Sequence, residues 1–257
     1  MALARSLNQR TGRVAVGKFL AQGPQAVEYG LRARQIEAIL FTDEGLRTFG
    51  DLERSAHNQA VSVYVIDERT SKVIAGTNSP QGVTGIATLP HPVVGWVGTK
   101  ARFVVMLEQA QDPGNVGTII RTADAAGADL VILGPGSADP YGPKCVRASA
   151  GSVFGVQIAA TDSPVAEIDA ARSAGMSVLA TAADGSVSAF DDGTLARFAP
   201  PVMWVFGNEA RGLDSATREA CDEAVKIPIS GGAESMNVAA AAAVCLFTSA
   251  RATRNLG

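Results

Sequence analysis

The sequence predicts an α/β protein in two parts, and three observations carry that prediction. After Lys100, short apolar runs recur between helical stretches: Phe103–Leu107, Leu130–Leu133, Val156–Ala160, Met176–Ala180, Val202–Phe206 and Ala224–Ile227. Most are followed by a turn rich in Gly, Pro or Asn, the pattern of buried strands in a mainly parallel sheet covered by helices. Before Pro90 the rhythm is that of a smaller α/β unit. Between them, Pro90 to Gly98 reads PHPVVGWVG, and two prolines with two glycines suit a connection. The boundary is placed there, giving domains of residues 1–98 and 99–257.

In the first part, Pro24 sits where a helix begins, and Ala26, Val27, Gly30 and Leu31 form one apolar helical face. Ile36–Phe41 reads as a strand, and Val61–Ile66 alternates as a half-buried strand does. The first 34 residues carry Arg5, Arg10, Arg13, Lys18, Arg32 and Arg34 against Glu28 alone. That imbalance fits a solvated, fraying terminus or an arm that contacts phosphates.

Composition narrows the function. Of 257 residues, 47% are hydrophobic and 18% charged, which excludes a mainly disordered chain. No segment reaches the ~18–20 apolar residues of a membrane span, and the start MALARSLNQR lacks a signal-peptide core, so a cytoplasmic protein without membrane contact is expected. The three cysteines and two histidines are too scattered for a zinc site or a disulfide framework, and no metal is expected. A nucleotide-dependent oxidoreductase is disfavoured, because Gly134-Pro135-Gly136 is no GxGxxG, and Gly17-Lys18 lacks the glycine spacing of a P-loop. A net charge of -3 argues against nucleic acid only on average, since residues 1–100 carry +3 and residues 101–257 carry -6.

In a parallel sheet, ligands bind beyond the carboxyl ends of the strands. Three loops stand there. In the first, Asp112-Pro113-Gly114 makes a turn and Asn115 is the expected N-cap of a helix running to about Ala126. Arg121, among Ile119, Ile120 and Ala123, is expected to be partly covered, either at a site or in a structural ion pair. In the second, Gly207 directly after a buried strand allows a sharp turn or a close backbone approach, and Glu209 is a carboxylate at the sheet edge. The third runs from Ile227-Pro228 to Asn237, where Ser235 or Asn237 caps a terminal helix, Val238–Thr248, whose free N–H groups favour an anion. Trp204, inside an apolar strand, reads as core rather than as a base-stacking platform.

Together these loops resemble the three motifs of the SpoU (TrmH) family of RNA ribose 2'-O-methyltransferases, in the SPOUT superfamily. Asn115-x-Gly117-x-x-x-Arg121-x-Ala123 is similar to the first motif and Gly207-x-Glu209-x-x-Gly212-Leu213 to the second. Ile227-Pro228 through Ser235-Met236-Asn237-Val238 is similar to the third, with Met236 where leucine is more usual. Lys144 to Gly151 resembles a family segment between the first two motifs, and Gly17-Lys18-Phe19-Leu20 with Gln22 to Val27 resembles the small ribosomal-protein-like α/β domain of many members.

The resemblance implies an α/β trefoil-knot domain with a mainly parallel sheet, a homodimer, and S-adenosylmethionine-dependent 2'-O-methylation of RNA. Ribosomal RNA, 23S above all, is the expected substrate, with a tRNA enzyme or a non-catalytic RNA-binding relative as alternatives. It implies Gly207, Ile227, Pro228, Ser235, Met236 and Asn237 as cofactor contacts, and Arg121, Glu209, Asn115 and Asn237 as the catalytic set. An arginine would cost more than ~7 kcal/mol to deprotonate at neutral pH, so Arg121 is read as an electrostatic clamp, with the base role left open. Arg121, Arg147, Ser149, Arg10, Arg13 and Lys18 are the expected RNA contacts.

Overall fold

The computed structural model describes residues 2–91, 93–94, 100–208 and 210–255. In chain order the first part forms α1 (Ala2–Ser6), α2 (Arg10–Val16), β1 (Lys18–Gln22), α3 (Pro24–Arg32), β2 (Ile36–Phe41), α4 (Asp43–Thr48), α5 (Gly50–Asn58), β3 (Ser62–Val65), α6 (Glu68–Ala75) and β4 (Val83–Thr88). Then follow β5 (Val93–Val94), β6 (Phe103–Leu107), α7 (Pro113–Ala126), β7 (Leu130–Leu133), α8 (Pro143–Ser149), β8 (Gln157–Ala160) and α9 (Pro164–Ser173). The last elements are β9 (Ser177–Thr181), β10 (Val187–Ser188), β11 (Val202–Phe206), α10 (Ser215–Ala220), β12 (Glu223–Lys226) and α11 (Val238–Asn255).

Two compact units result: residues 1–91 with 139–155, and residues 92–138 with 156–257. The boundary expected at 98/99 therefore moves to 91/92, and a segment from between β7 and β8 joins the first unit. Side-chain chemistry accounts for this. Phe19 of β1 is wholly buried, with the Tyr141 ring 5.0 Å and the Phe154 ring 5.4 Å away, centroid to centroid. Arg13 of α2 is 4% exposed and pairs with Asp139 at 2.6 Å, while also donating to the Leu7 carbonyl at 2.9 Å. Residues more than a hundred positions later thus cover the first unit.

The first unit's sheet has the order β1-β4-β2-β3, antiparallel except for the β2–β3 pair. Pro24 opens α3, and Ala26, Val27, Gly30 and Leu31 are its buried face, as expected. Gly30 is needed there because a Cβ would lie 2.6 Å from Ile36 Cδ1. The N-terminus is no fraying tail: Ala4 and Leu7 pack with Leu20, Leu40 and Ile74 in one apolar cluster.

In the second unit eight strands form one sheet, β10-β12-β9-β11-β6-β7-β8-β5, and every neighbouring pair is parallel. Strands β6, β7 and β11 have the bounds expected from their apolar runs and are buried along their length. Val104, Met106, Ile132, Val178, Met203 and Val205 belong to one core cluster. Trp204 is buried in the core, where its indole N–H donates to Ser249 Oγ of α11 at 2.8 Å. Among the described residues, no helix is long and apolar enough to cross a membrane.

Replacing Asp139 with Asn leaves the buried Arg13 cation without its counter-charge. Chemical denaturation is expected to show a loss of about 2–3 kcal/mol, near the lower end for a broken buried pair because Asp139 keeps some solvent contact.

Candidate functional site

Because all eight strands run parallel, their carboxyl ends share one edge, and a cavity of about 260 Å³ opens there in the second unit. Its walls come from four places. Thr181 ends β9 and Ala182 and Ala183 follow it, while Gly207, Asn208 and Gly212 follow β11. Val225, Ile227 and Ile229 come from β12 and the chain after it, Ser235 and Met236 from the approach to α11, and Val238 and Ala241 from its first turn. A larger groove of about 920 Å³, beside Arg102, Asp129, Phe247 and Arg251, lies at the amino ends of the strands. None of the sequence-predicted site residues lines that groove.

Of the predicted cofactor contacts, Gly207, Ile227, Ser235 and Met236 line the smaller cavity. Pro228 and Asn237 lie on the same segment as exposed residues and are not among its walls. The contribution of Thr181 to Ala183 was overlooked, although these residues follow a predicted strand and obey the same carboxyl-end rule. Asn208 was overlooked as well.

The second loop is folded by its own backbone. Asn208 N–H donates to the Gly212 carbonyl at 3.0 Å and Gly212 N–H returns a bond to Asn208 at 2.8 Å. A Cβ on Gly207 would collide with the Gly212 carbonyl, so this glycine answers to the loop's own closure before any ligand. Gly212 takes a φ of 71°, in the left-handed region that glycine tolerates. Asn208 Oδ1 accepts from the Ala210 and Arg211 N–H groups at 3.0 and 3.2 Å. Glu209 lies outside the described residues.

In the first loop, Asp112 rather than Asn115 caps α7. Its Oδ1 accepts from the Gly114 and Asn115 N–H groups at 2.6 and 3.0 Å, and Pro113 takes the first helical position, where its missing N–H costs nothing. The Asn115 side chain instead meets the third loop: its Oδ1 accepts from Asn237 Nδ2 at 3.0 Å. Asn237 Oδ1 accepts from the Ala239 and Ala240 N–H groups at 2.9 and 3.3 Å, so Asn237 is the cap of α11. One asparagine thus starts α11 and ties it to the first turn of α7.

Arg121 stands on α7, about 9 Å further along the axis than Asn115. Ile119, Ile120 and Ala123 turn inward, and Arg121, expected to be partly covered, is exposed. Among the described residues its guanidinium has no partner.

The remaining predicted RNA contacts all lie in the first unit. Arg10 is exposed on α2, and Lys18 pairs with Glu37, whose carboxyl that bond holds below its ordinary pKa. Arg147 bonds to the Gln22 side chain and to the Ala75 carbonyl, the latter at 3.3 Å. Two expectations are corrected. Arg13 is buried in its pair with Asp139, and Ser149 is fully buried with its hydroxyl donating to the Val146 carbonyl at 2.9 Å, so neither is presented to RNA. Burial pushes the thiols of Cys145, Cys221 and Cys245 up to about 12, so no cysteine offers a thiolate nucleophile near neutral pH.

Replacing Asn237 with Ala removes the α11 cap and is expected to lower stability by about 1 kcal/mol in urea denaturation. Asn237→Asp keeps the acceptor for both helix N–H groups and is expected to stay within about 0.5 kcal/mol of the parent, losing only the bond to Asn115.

Comparison with known proteins agrees with this geometry. Residues 102–247 match the SpoU rRNA Methylase family model, and residues 3–85 match an MRM3-like substrate binding domain. The 23S rRNA (guanosine(2553)-2'-O)-methyltransferase RlmP of Bacillus subtilis is 31% identical, over 95% of this chain and 92% of its own length. The AdoMet-bound rRNA methyltransferase from Sinorhizobium meliloti superposes with a TM-score of 0.79 at 31% identity, covering 97% of this chain and 93% of its own. The SpoU methyltransferase AviRb from Streptomyces viridochromogenes, in complex with AdoMet, gives 0.82 at 28% identity over 100% and 98%. With the three motif loops gathered at one edge of a parallel sheet, and the family model spanning more than half of its length, this chain belongs to the SpoU rRNA methylase family.

Proposed function

We propose that the protein transfers a methyl group from S-adenosylmethionine to a ribose 2'-hydroxyl of 23S rRNA. The observation that carries this reading is the convergence of the three motif loops. Gly207, Ile227, Ser235 and Met236 wall one cavity, and Asn237 is bonded to Asn115 at the base of the helix that bears Arg121. The likeness to full-length 23S rRNA enzymes, including the substrate-binding unit, favours ribosomal RNA.

The residues present fit the cofactor. Apolar Val225, Ile227, Met236 and Val238 suit a flat purine, and backbone groups at strand ends can read its polar edge. Ser235 beside the amino end of the 18-residue helix α11 suits a carboxylate. When bound, S-adenosylmethionine supplies an electrophilic methyl carbon on a sulfonium.

The chain's own residues then have three tasks. Arg121, exposed and without a partner among the described residues, clamps the RNA phosphate and stabilises charge developing on the ribose oxygen. Asn115 and Asn237, bonded to each other, hold the first and third loops together beside the ribose. Glu209 supports Arg121 or Asn115, because a carboxylate beside the sulfonium would stabilise the ground state more than the transition state. Pro228, next to the wall residue Ile227, marks the end of the strand from which the third loop departs. In the substrate-binding unit, Arg10, Lys18 and Arg147 are the proposed RNA contacts. The same reading carries a homodimer, a trefoil knot and action in the cytoplasm.

Mapping 2'-O-methylation across rRNA from cells with and without the gene tests this. One 23S nucleotide is expected to lose its methyl group in the deletion, to regain it with the wild-type gene and not with Arg121→Ala. That variant is expected to keep wild-type affinity for S-adenosylmethionine by calorimetry. Identical maps with and without the gene would overturn the activity.

A further inference from the structure

Two consecutive residues of the first loop hold the second loop at both of its ends. Glu108 and Gln109 follow β6 directly, and β6 is the sheet neighbour of β11. Glu108 N–H donates to the Phe206 carbonyl at 2.9 Å, extending the ladder by one step. The Glu108 side chain is 5% exposed and faces the far end of the second loop. Its Oε2 accepts from the Asp214 N–H at 2.9 Å and its Oε1 from the Thr217 hydroxyl at 2.7 Å. Thr217 is itself 2% exposed.

At the near end, Gln109 takes a φ of 52°, a left-handed conformation that non-glycine residues avoid. Its carbonyl accepts from Asn208 Nδ2 at 3.0 Å. The orientation of the Asn208 amide follows from its partners: two N–H groups need the oxygen and one carbonyl needs the nitrogen. The second loop is therefore tied at Asn208 by the Gln109 carbonyl and at Asp214 by Glu108. Three of its residues, Gly207, Asn208 and Gly212, are walls of the cavity.

A buried carboxylate with no ion pair among the described residues is an expensive way to end a loop, and a non-glycine residue in a left-handed turn adds to that expense. Both are explained if the loop must stand in one conformation before its ligand arrives, so that binding does not have to order it. We propose that Glu108 and Asn208 are positioning residues that preorganise the second loop for S-adenosylmethionine. The proposal rests on assigning the cavity to that cofactor.

Three variants of the full chain, titrated with S-adenosylmethionine by calorimetry, test it. Asn208→Asp keeps the acceptor for Ala210 and Arg211 but loses the donor to Gln109. Thr217→Val keeps the shape but loses the hydroxyl that meets Glu108. Each is expected to weaken Kd about tenfold, the loss of one net hydrogen bond. Ser235→Trp, at an exposed wall residue, tests the cavity itself and is expected to abolish binding. A role confined to stability would lower the melting temperature of Asn208→Asp and Thr217→Val and leave Kd at the wild-type value. That result, with Ser235→Trp unable to bind, overturns the clasp alone. Wild-type binding by Ser235→Trp overturns the cavity assignment and the clasp with it. Should Asn208→Asp fail to fold, Thr217→Val alone decides.

Discussion

The parallel pairing of β6, β11, β9 and β12 is the constraint on which the site depends. Parallel neighbours place every carboxyl end on the same edge, so chain segments at 108–115, 181–183, 207–214 and 227–237 must emerge side by side. Burial holds that register. Each central strand is apolar on both faces, and a slip of one residue would exchange the two sets of side chains packed above and below it. Hydrophobic burial thereby fixes the positions of loops that contain few apolar residues of their own.

What burial leaves unspecified, a few polar ties complete. Asp112 starts α7, Asn237 starts α11 and reaches Asn115, and Asn208 closes its own turn while reaching Gln109. Each uses a short side chain near a helix end or a tight turn, where unpaired backbone N–H groups are available. The same residue types that chemistry needs for neutral hydrogen bonds are therefore also the ones that shape the loops.

This double duty explains which parts were legible in the sequence. Strands β6, β7 and β11 could be read to the residue because continuous apolar runs bounded by polar or turn residues leave little ambiguity, and β2 likewise although Glu37 interrupts its run. Strands β1 and β4 went unread. β4 contains Gly85, which weakens a strand pattern; a Cβ there would lie 2.9 Å from Ile36 Cδ1 and push that side chain aside. The cavity walls at Gly207, Ile227, Ser235 and Met236 were legible from motif spacing. Arg13 and Ser149 were misjudged because residue type reports charge and polarity, whereas burial depends on partners such as Asp139, 126 positions away from Arg13. The transfer of residues 139–155 to the first unit was hidden for the same reason.

Hydrogen exchange with and without S-adenosylmethionine tests most directly the claim that the carboxyl-edge cavity is the cofactor site. Peptides covering 181–183, 207–213 and 227–238 should exchange more slowly with the cofactor present. Those covering 124–127 and 199–200, beside the amino-edge groove, should not change. Protection at the amino edge, with the three loops unaffected, would contradict the account.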